Sequence, residues 1–532
     1  MRKIPFRKSI LAAAACIGLA AGWHASPATA KTLTWSFQSD VATLDPMGVD
    51  QTFTLGVLNN VYEGLIERGP DMEIVPALAE SWEVVEPTRW RFHLRHGVTF
   101  QGGEPFTADD VVFTVQRSLS DGSRIKSSKM ISVSGAEKVD DYTVDILLKN
   151  PNPILIADWG NWYIMSKSWA EKNGIGAHPT LDELSASFAA NHTNGTGPFR
   201  IVQHEADNVL VAEPNDHWWG QKKHNLTKVV FRPIASPATR TAALLSGEVD
   251  VEMPVPLQDQ DRVEKSGHTR ILAGPELRVV FLGMHLGSDE LGDSNIKGRN
   301  PLKDLRVRKA IYQAIDEQAI NRVIMRGQAI PTAAMVPSQF YGAAKDLKRF
   351  PYDPKAAKDL LAEAGYPEGF SLGFDCPNNR YVNDEKICTA IVGMLEKVGI
   401  KAHLNAMPMN QYSTMLADSK IKKDLWFLGL SPGNVDANGL MQELVHTRTG
   451  SWGIQNGGLL SDPALDGIIE AAIRESDTAK RDALLARSQQ IVHDQIYFIP
   501  LHQQPLSWGV RNGVNVLQRP DDILMWKYVT ID

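Results

Sequence analysis

Cysteine is almost absent: three in 532 residues. A disulfide-dense scaffold is therefore excluded, and neither the cysteines nor the fourteen histidines show zinc-site spacing or an H-E-x-x-H pair. No metal, no cofactor and no catalytic set is assigned. Long apolar runs are missing too. Beyond residue 30 no stretch reaches the roughly 18 apolar residues that a membrane-spanning helix needs. Positive charge is not in excess either: the formal net charge is −7. That balance disfavours nucleic acid and anionic membrane surfaces as partners.

What is present begins with an export pattern. Arg2, Lys3, Arg7 and Lys8 precede an apolar run over 10–21, and Ala28-Thr29-Ala30 offers a small-residue cleavage site. Cleavage after Ala30 leaves a mature chain of net charge −11 in the periplasm. A lipid anchor would need Cys16, and Ala13-Ala14-Ala15 fits that poorly. The remaining pair, Cys376 and Cys388, is either a disulfide closing a short loop or two buried thiols. With 43% hydrophobic residues there is material for several cores, and the length predicts two to four domains.

The most informative stretch is 62–113. Trp90, Phe92 and Leu94 alternate with Arg91, His93 and Arg95, the pattern of a strand with one buried face. A turn at 86–88 predicts that it pairs with 81–85. Thr107 and Asp110 form a capping box, after which Val111, Val112, Val115 and Leu119 line one helical face. Further on, glycines at 195 and 197 promise backbone angles closed to other residues. A strand over 278–284 carries Gly283 as a flexing point. A strand over 371–374, a helix through Ile387, Ile391 and Leu395, and a strand over 401–404 make a βαβ unit with parallel strands.

The ordered words YEGL, VPALAESW and LRHGVTFQGGEPFTADDVV, with GTGPF at 195–199, resemble the ABC-transporter solute-binding proteins of family 5, the peptide, nickel and opine type. The resemblance implies an α/β, periplasmic-binding-protein-like two-lobe fold (class II, cluster C) with an extra inserted α/β domain. Lobe I would comprise 31–61, 191–288 and 505–532, the inserted domain 62–190 and lobe III 289–504. It also implies a monomeric periplasmic receptor, not an enzyme, that closes over a small molecule or peptide and delivers it to an ABC permease complex in the inner membrane. An opine, a sugar conjugate or a metal chelate is the alternative solute.

Contacts are expected from four places. The Leu44-Asp45-Pro46 segment of the family opens onto the cleft, which nominates Met47, Asp50 and Phe53; Val255 stands at the cleft wall. Ligands in open α/β sheets bind beyond the carboxyl ends of strands, which nominates Asn378, Arg380 and Tyr381 in one loop and Leu430, Ser431 and Asn434 in another. Trp452 offers an aromatic platform. Arg380 can fork onto a carboxylate, or pair with Asp384 or Glu385. Peptide binders of the family carry an aspartate for the peptide ammonium where this chain has Gly433, so an acidic or sugar-linked solute fits as well as an ordinary dipeptide. Gly429-Leu430-Ser431-Pro432-Gly433 also satisfies the G-x-S-x-G of a secreted serine hydrolase. Proline and glycine directly after the serine disfavour the helix that such an elbow needs. Asp436 with His493 or His502 would complete its triad.

Overall fold

Two long antiparallel strands, Thr269–Met284 and Phe498–Arg511, form the spine of the molecule. The computed structural model describes residues 31–417, 424–431, 434–450 and 452–532; the export segment, Cys16 and Gly433 lie outside the described residues. The spine ladder has two halves. Thr269 to Pro275 pair with Arg511 to Pro505, the register shifts, and Val279 to Gly283 pair with Gln503 to Phe498. Beyond one edge the sheet continues through Val251–Met253, Thr32–Phe37 and Lys228–Pro233 to the hairpin Phe199–Glu205/Val209–Pro214. Beyond the other it continues through Leu425–Leu430, Phe370–Pro377 and Ile400–Met407. Buried apolar side chains gather in two large cores, one drawn from 33–253 and 508–529, the other from 257–501 with Met72 reaching in. No helix of the described residues is long and apolar enough to cross a membrane.

The block after residue 62 carries its own four-stranded sheet, ordered Ala79–Glu86, Arg89–Leu94, Thr143–Leu148, Val133–Asp140. The expected hairpin is there, with Trp90, Phe92 and Leu94 buried. On the opposite face Arg89 and Arg91 both grip Asp145, at 2.9 and 2.7 Å. Thr107 and Asp110 cap the helix Ala108–Ser118 reciprocally, as predicted. Its inward face is less apolar than its valines suggest. Arg117, buried, forks onto Asp45 at 2.9 and 2.5 Å. Asp45 and Arg117 thus form an ion pair inside the first core, because a carboxylate with no exposed surface demands a full partner.

Two glycine expectations are corrected. Gly195 and Gly197 are not in the left-handed region; a Cβ at either would stand 2.0 or 2.6 Å from the Val61 carbonyl oxygen, so close approach to that backbone is their constraint. Gly283 is paired on both sides and makes room for the Trp426 ring, 2.0 Å from where its Cβ would be. It is a packing residue and not a flexing point. Beside the turn at 195–199, Trp218 and Trp219 are half-buried and donate their indole N–H groups to Glu63 at 3.0 and 2.7 Å; Thr196 adds a third bond at 2.8 Å. Burial pushes the Glu63 carboxyl up to about 7, against a usual 4.5.

The βαβ unit forms as read. Phe370–Pro377 and Ile400–Met407 run parallel, joined by the helix Asp384–Glu396. Cys376, near the end of the first strand, is disulfide-bonded to Cys388 on the helix, which decides between the two readings of that pair. The bridge closes a loop of about a dozen residues, a constraint worth about 3 kcal/mol by loop-closure entropy. A Cys376→Ser/Cys388→Ser chain should lose up to that amount in denaturant unfolding; equal stability would show the bridge to be neutral.

Glu63 predicts a pH effect with a definite sign. Between about 4.5 and 7 the folded chain holds this proton while the unfolded chain has released it, so stability falls as pH rises through that window and levels above it. Replacing Glu63 by Gln removes the term. The variant should gain about 2 kcal/mol relative to wild type between pH 5 and pH 8, read from chemical denaturation at both pH values.

Candidate ligand-binding site

The register shift in the spine is where polar groups converge. Over 276–278 the first strand leaves its ladder and presents Glu276 and Arg278, two residues apart and therefore on one face. Arg278 Nε donates to Glu276 Oε1 at 2.7 Å, and Gln504 donates to the other oxygen at 2.5 Å. Gln503 donates to the Glu276 carbonyl at 2.7 Å. Arg278 Nη1 also reaches the Gly429 carbonyl, 3.2 Å away, which accepts the Tyr381 hydroxyl at 3.0 Å.

This nest fixes the loop after Phe370–Pro377. Gln504 Oε1 accepts from the Val382 N–H at 3.0 Å, and Asp384 Oδ2 accepts from the Arg380 and Tyr381 N–H groups, both at 2.9 Å. Asp384 thus binds the Arg380 backbone and not its side chain. Two guanidinium groups stand over the Tyr381 ring, Arg278 at 5.8 Å and Arg380 at 5.5 Å from its centre. Among the described residues no carboxylate lies within 4 Å of the half-buried Arg380 guanidinium, whereas Arg278 has Glu276. Arg278 beside it, and then burial, hold Arg380 below its usual value. A cation in this setting favours an incoming anion. Asp522 completes the nest from the C-terminal segment, its carboxyl hydrogen-bonded by the Trp508 indole at 2.7 Å and pushed up by burial first and Glu276 second.

A second group of polar residues lies along the seam between the two cores. Asn434 donates to Asp158 Oδ1 at 3.0 Å, and its carbonyl accepts from Arg68 at 2.7 Å. Burial lifts Asp158 to about 6. Nearby, buried Lys129 stands 3.9 Å from Asp50. Glu443, across the seam, is lifted to about 7 by burial and then by Asp50. A cavity of about 40 Å³ opens here, lined among others by Thr52, Asn59, Arg68, Asn161, Ser431 and Arg519.

Of the residues nominated from sequence, the structure brings Arg380 and Tyr381 to the nest, with Leu430 closing the strand beside them. It brings Asp50, Ser431 and Asn434 to the seam. Asn378 is exposed, its N–H bonded to the Met407 carbonyl. Trp452 packs on His446 with ring centres 4.4 Å apart. Three others make packing contacts. Met47 is fully buried with its sulfur 3.1 Å from Arg117, Phe53 stacks on Phe37 at 4.0 Å, and Val255 belongs to a small cluster with Leu244 and Val263. The hydrolase triad is not assembled: Asp436 is paired with Arg481 at 2.6 Å, His502 with Glu317 at 2.7 Å and His493 with Asp494 at 2.9 Å. Sequence reading missed Glu276, Asp522, Arg68 and Asp158. For the first, the signal was an acid and a base two residues apart in an otherwise apolar strand.

Likeness to known proteins agrees with this geometry. Residues 73–452, well over half the chain, match the family model for bacterial extracellular solute-binding proteins, family 5. The glutathione-binding protein GsiB of Salmonella paratyphi A is 27% identical over 497 residues, covering 92% of each chain. Among solved structures, the periplasmic binding protein DppA of Helicobacter pylori, in complex with the peptide STSA, aligns with a TM-score of 0.79 at 25% identity over 94% of this chain and 98% of its own. AgaA from A. tumefacien R10, in complex with agropinic acid, shares the fold at a TM-score of 0.77 and 23% identity over 94% of this chain and 99% of its own. The two-lobe α/β architecture built on the spine ladder is theirs, and the chain belongs to the bacterial extracellular solute-binding proteins of family 5.

Proposed function

We propose that the mature chain works in the periplasm as the solute-capturing component of an ABC importer and takes a small, acidic, peptide-like solute. The observation that carries this reading is the Arg380 guanidinium, which lacks a carboxylate partner beside the spine, the ladder shared by both lobes. The names of the relatives support the solute class, since one is called glutathione-binding and another holds a short peptide. Closure follows from the layout: contacts from both lobes exist together only when the cleft is shut, so a solute that bridges them shifts the population to the closed form. A permease that recognises the closed form then receives the loaded receptor. The chain acts as a monomer and performs no chemistry on the solute.

Removing Arg380 tests this directly. An Arg380→Ala chain should bind glutathione at least about tenfold more weakly by calorimetry, the cost of a lost charge-assisted hydrogen bond. Its thermal midpoint should stay within about 2 °C, because the guanidinium fastens no other part of the fold. Equal affinity in the variant would contradict the role. A fluorophosphonate probe should leave Ser431 unlabelled; labelling that disappears in Ser431→Ala would replace the receptor by a hydrolase.

A further inference from the structure

Arg68 is the group in the seam that the fold leaves unmatched. It ends the short strand Ile66–Arg68 and is only 4% exposed. Three of its bonds go to backbone carbonyls: Nη1 to Met72 at 3.2 Å, and Nη2 to Ala157 at 3.0 Å and Asn434 at 2.7 Å. A guanidinium has five N–H donors, so two remain, and Nε is buried without an acceptor. Among the described residues no carboxylate lies within 4 Å of it; the neighbouring Asp521 is taken by Arg519. Gly160 keeps Nε clear, since a Cβ there would stand 2.7 Å away.

Arg68 lines the cavity of about 40 Å³ together with Asn161, whose Oδ1 is also buried without a donor. The lining thus holds a cation with an unmatched donor and an unmatched acceptor. Those are the complements of a carboxylate and of an adjacent N–H. The volume corresponds to roughly three waters, the size of one carboxylate. Thr52, Asn59, Ser431 and the mutually paired Arg519 and Asp521 supply the other polar walls.

We infer that Arg68 and Asn161 form a second anion-receiving subsite in the cleft, so that the solute is a peptide-like diacid held at one end by Arg380 and at the other by Arg68. This rests on the reading of the chain as a solute receptor. The two arginines are anchored on residues close together in the chain. Tyr381, next to Arg380, is hydrogen-bonded to the Gly429 carbonyl and Arg68 to the Asn434 carbonyl, and the chain between those two residues reaches no further than about 17 Å even fully extended. An extended tripeptide is about 10 Å long. Because Asn434 comes from the lobe opposite Arg68, a carboxylate seated here touches both sides of the seam and favours the closed form.

Three probes separate this subsite from a structural role: glutathione, its glycine-carboxamide analogue, and γ-aminobutyryl-cysteinyl-glycine, which lacks the glutamyl α-carboxylate. Each is titrated calorimetrically into the mature wild type, Arg68→Met and Arg380→Ala. Arg68→Met should weaken glutathione and one of the two monoacid analogues at least tenfold and change the other less than twofold, with Arg380→Ala showing the mirror-image pattern. If Arg68→Met does not fold, Thr52→Asp, which places a fixed carboxylate in the cavity, should reproduce its selectivity. Equal losses for all three probes, or none, overturn the inference and leave the role of Arg380 standing. If glutathione fails to bind the wild type, the subsite and the peptide-like solute class fall together.

Discussion

Both cores hang from one antiparallel ladder. The pairing of Thr269–Met284 with Phe498–Arg511 is the longest in the molecule, and each strand contributes one half to each lobe. The ladder runs through both cores, and its register breaks at 276–278. The break is also where backbone groups lose their ladder partners. Gln503 takes up one such group, donating to the Glu276 carbonyl, while Gln504 bonds the Glu276 carboxylate and the Val382 N–H, and the polar nest is the result.

The electrostatics of the cleft follow from that placement. Glu276 neutralises Arg278, leaving Arg380 as the surplus cation over the Tyr381 ring. The Cys376–Cys388 bridge brackets the loop that carries Arg380, and Asp384 pins its backbone. A guanidinium held on a loop tied at both ends loses little further entropy when it binds, which is how preorganisation raises affinity. At the seam the position is reversed for Arg68, whose surroundings are backbone carbonyls and a cavity instead of a loop. Of the carboxylates there, Asp158 and Glu443 are lifted toward neutrality by burial, and Lys129 stands beside Asp50.

Local patterns were legible from residues alone. The hairpin around the turn at 86–88, the Thr107–Asp110 cap and the βαβ unit each depend on neighbours within a few positions, and each formed as read. The family words fixed the two-lobe class. What escaped was set by partners far apart in the chain. Asp45 meets Arg117 across 72 positions, Glu63 meets Trp218 across 155, and Arg68 meets Asn434 across 366. No periodicity encodes such pairs, so the ion pair of Asp45 with Arg117 and the contact of Met47 with it are not visible in the sequence. Arg380 was legible because loop position and residue type alone suggested its role; that it lacks a carboxylate partner required the fold.

The central claim is that the closed cleft is built around an acidic solute. Native mass spectrometry of the protein as purified from the periplasm tests it most directly, by releasing and identifying whatever small molecule travels with it. The account predicts a species of peptide-like composition carrying at least one free carboxylate, released when the lobes are unfolded and lost in Arg380→Ala. A tightly held neutral or purely cationic solute, retained equally by that variant, would contradict it.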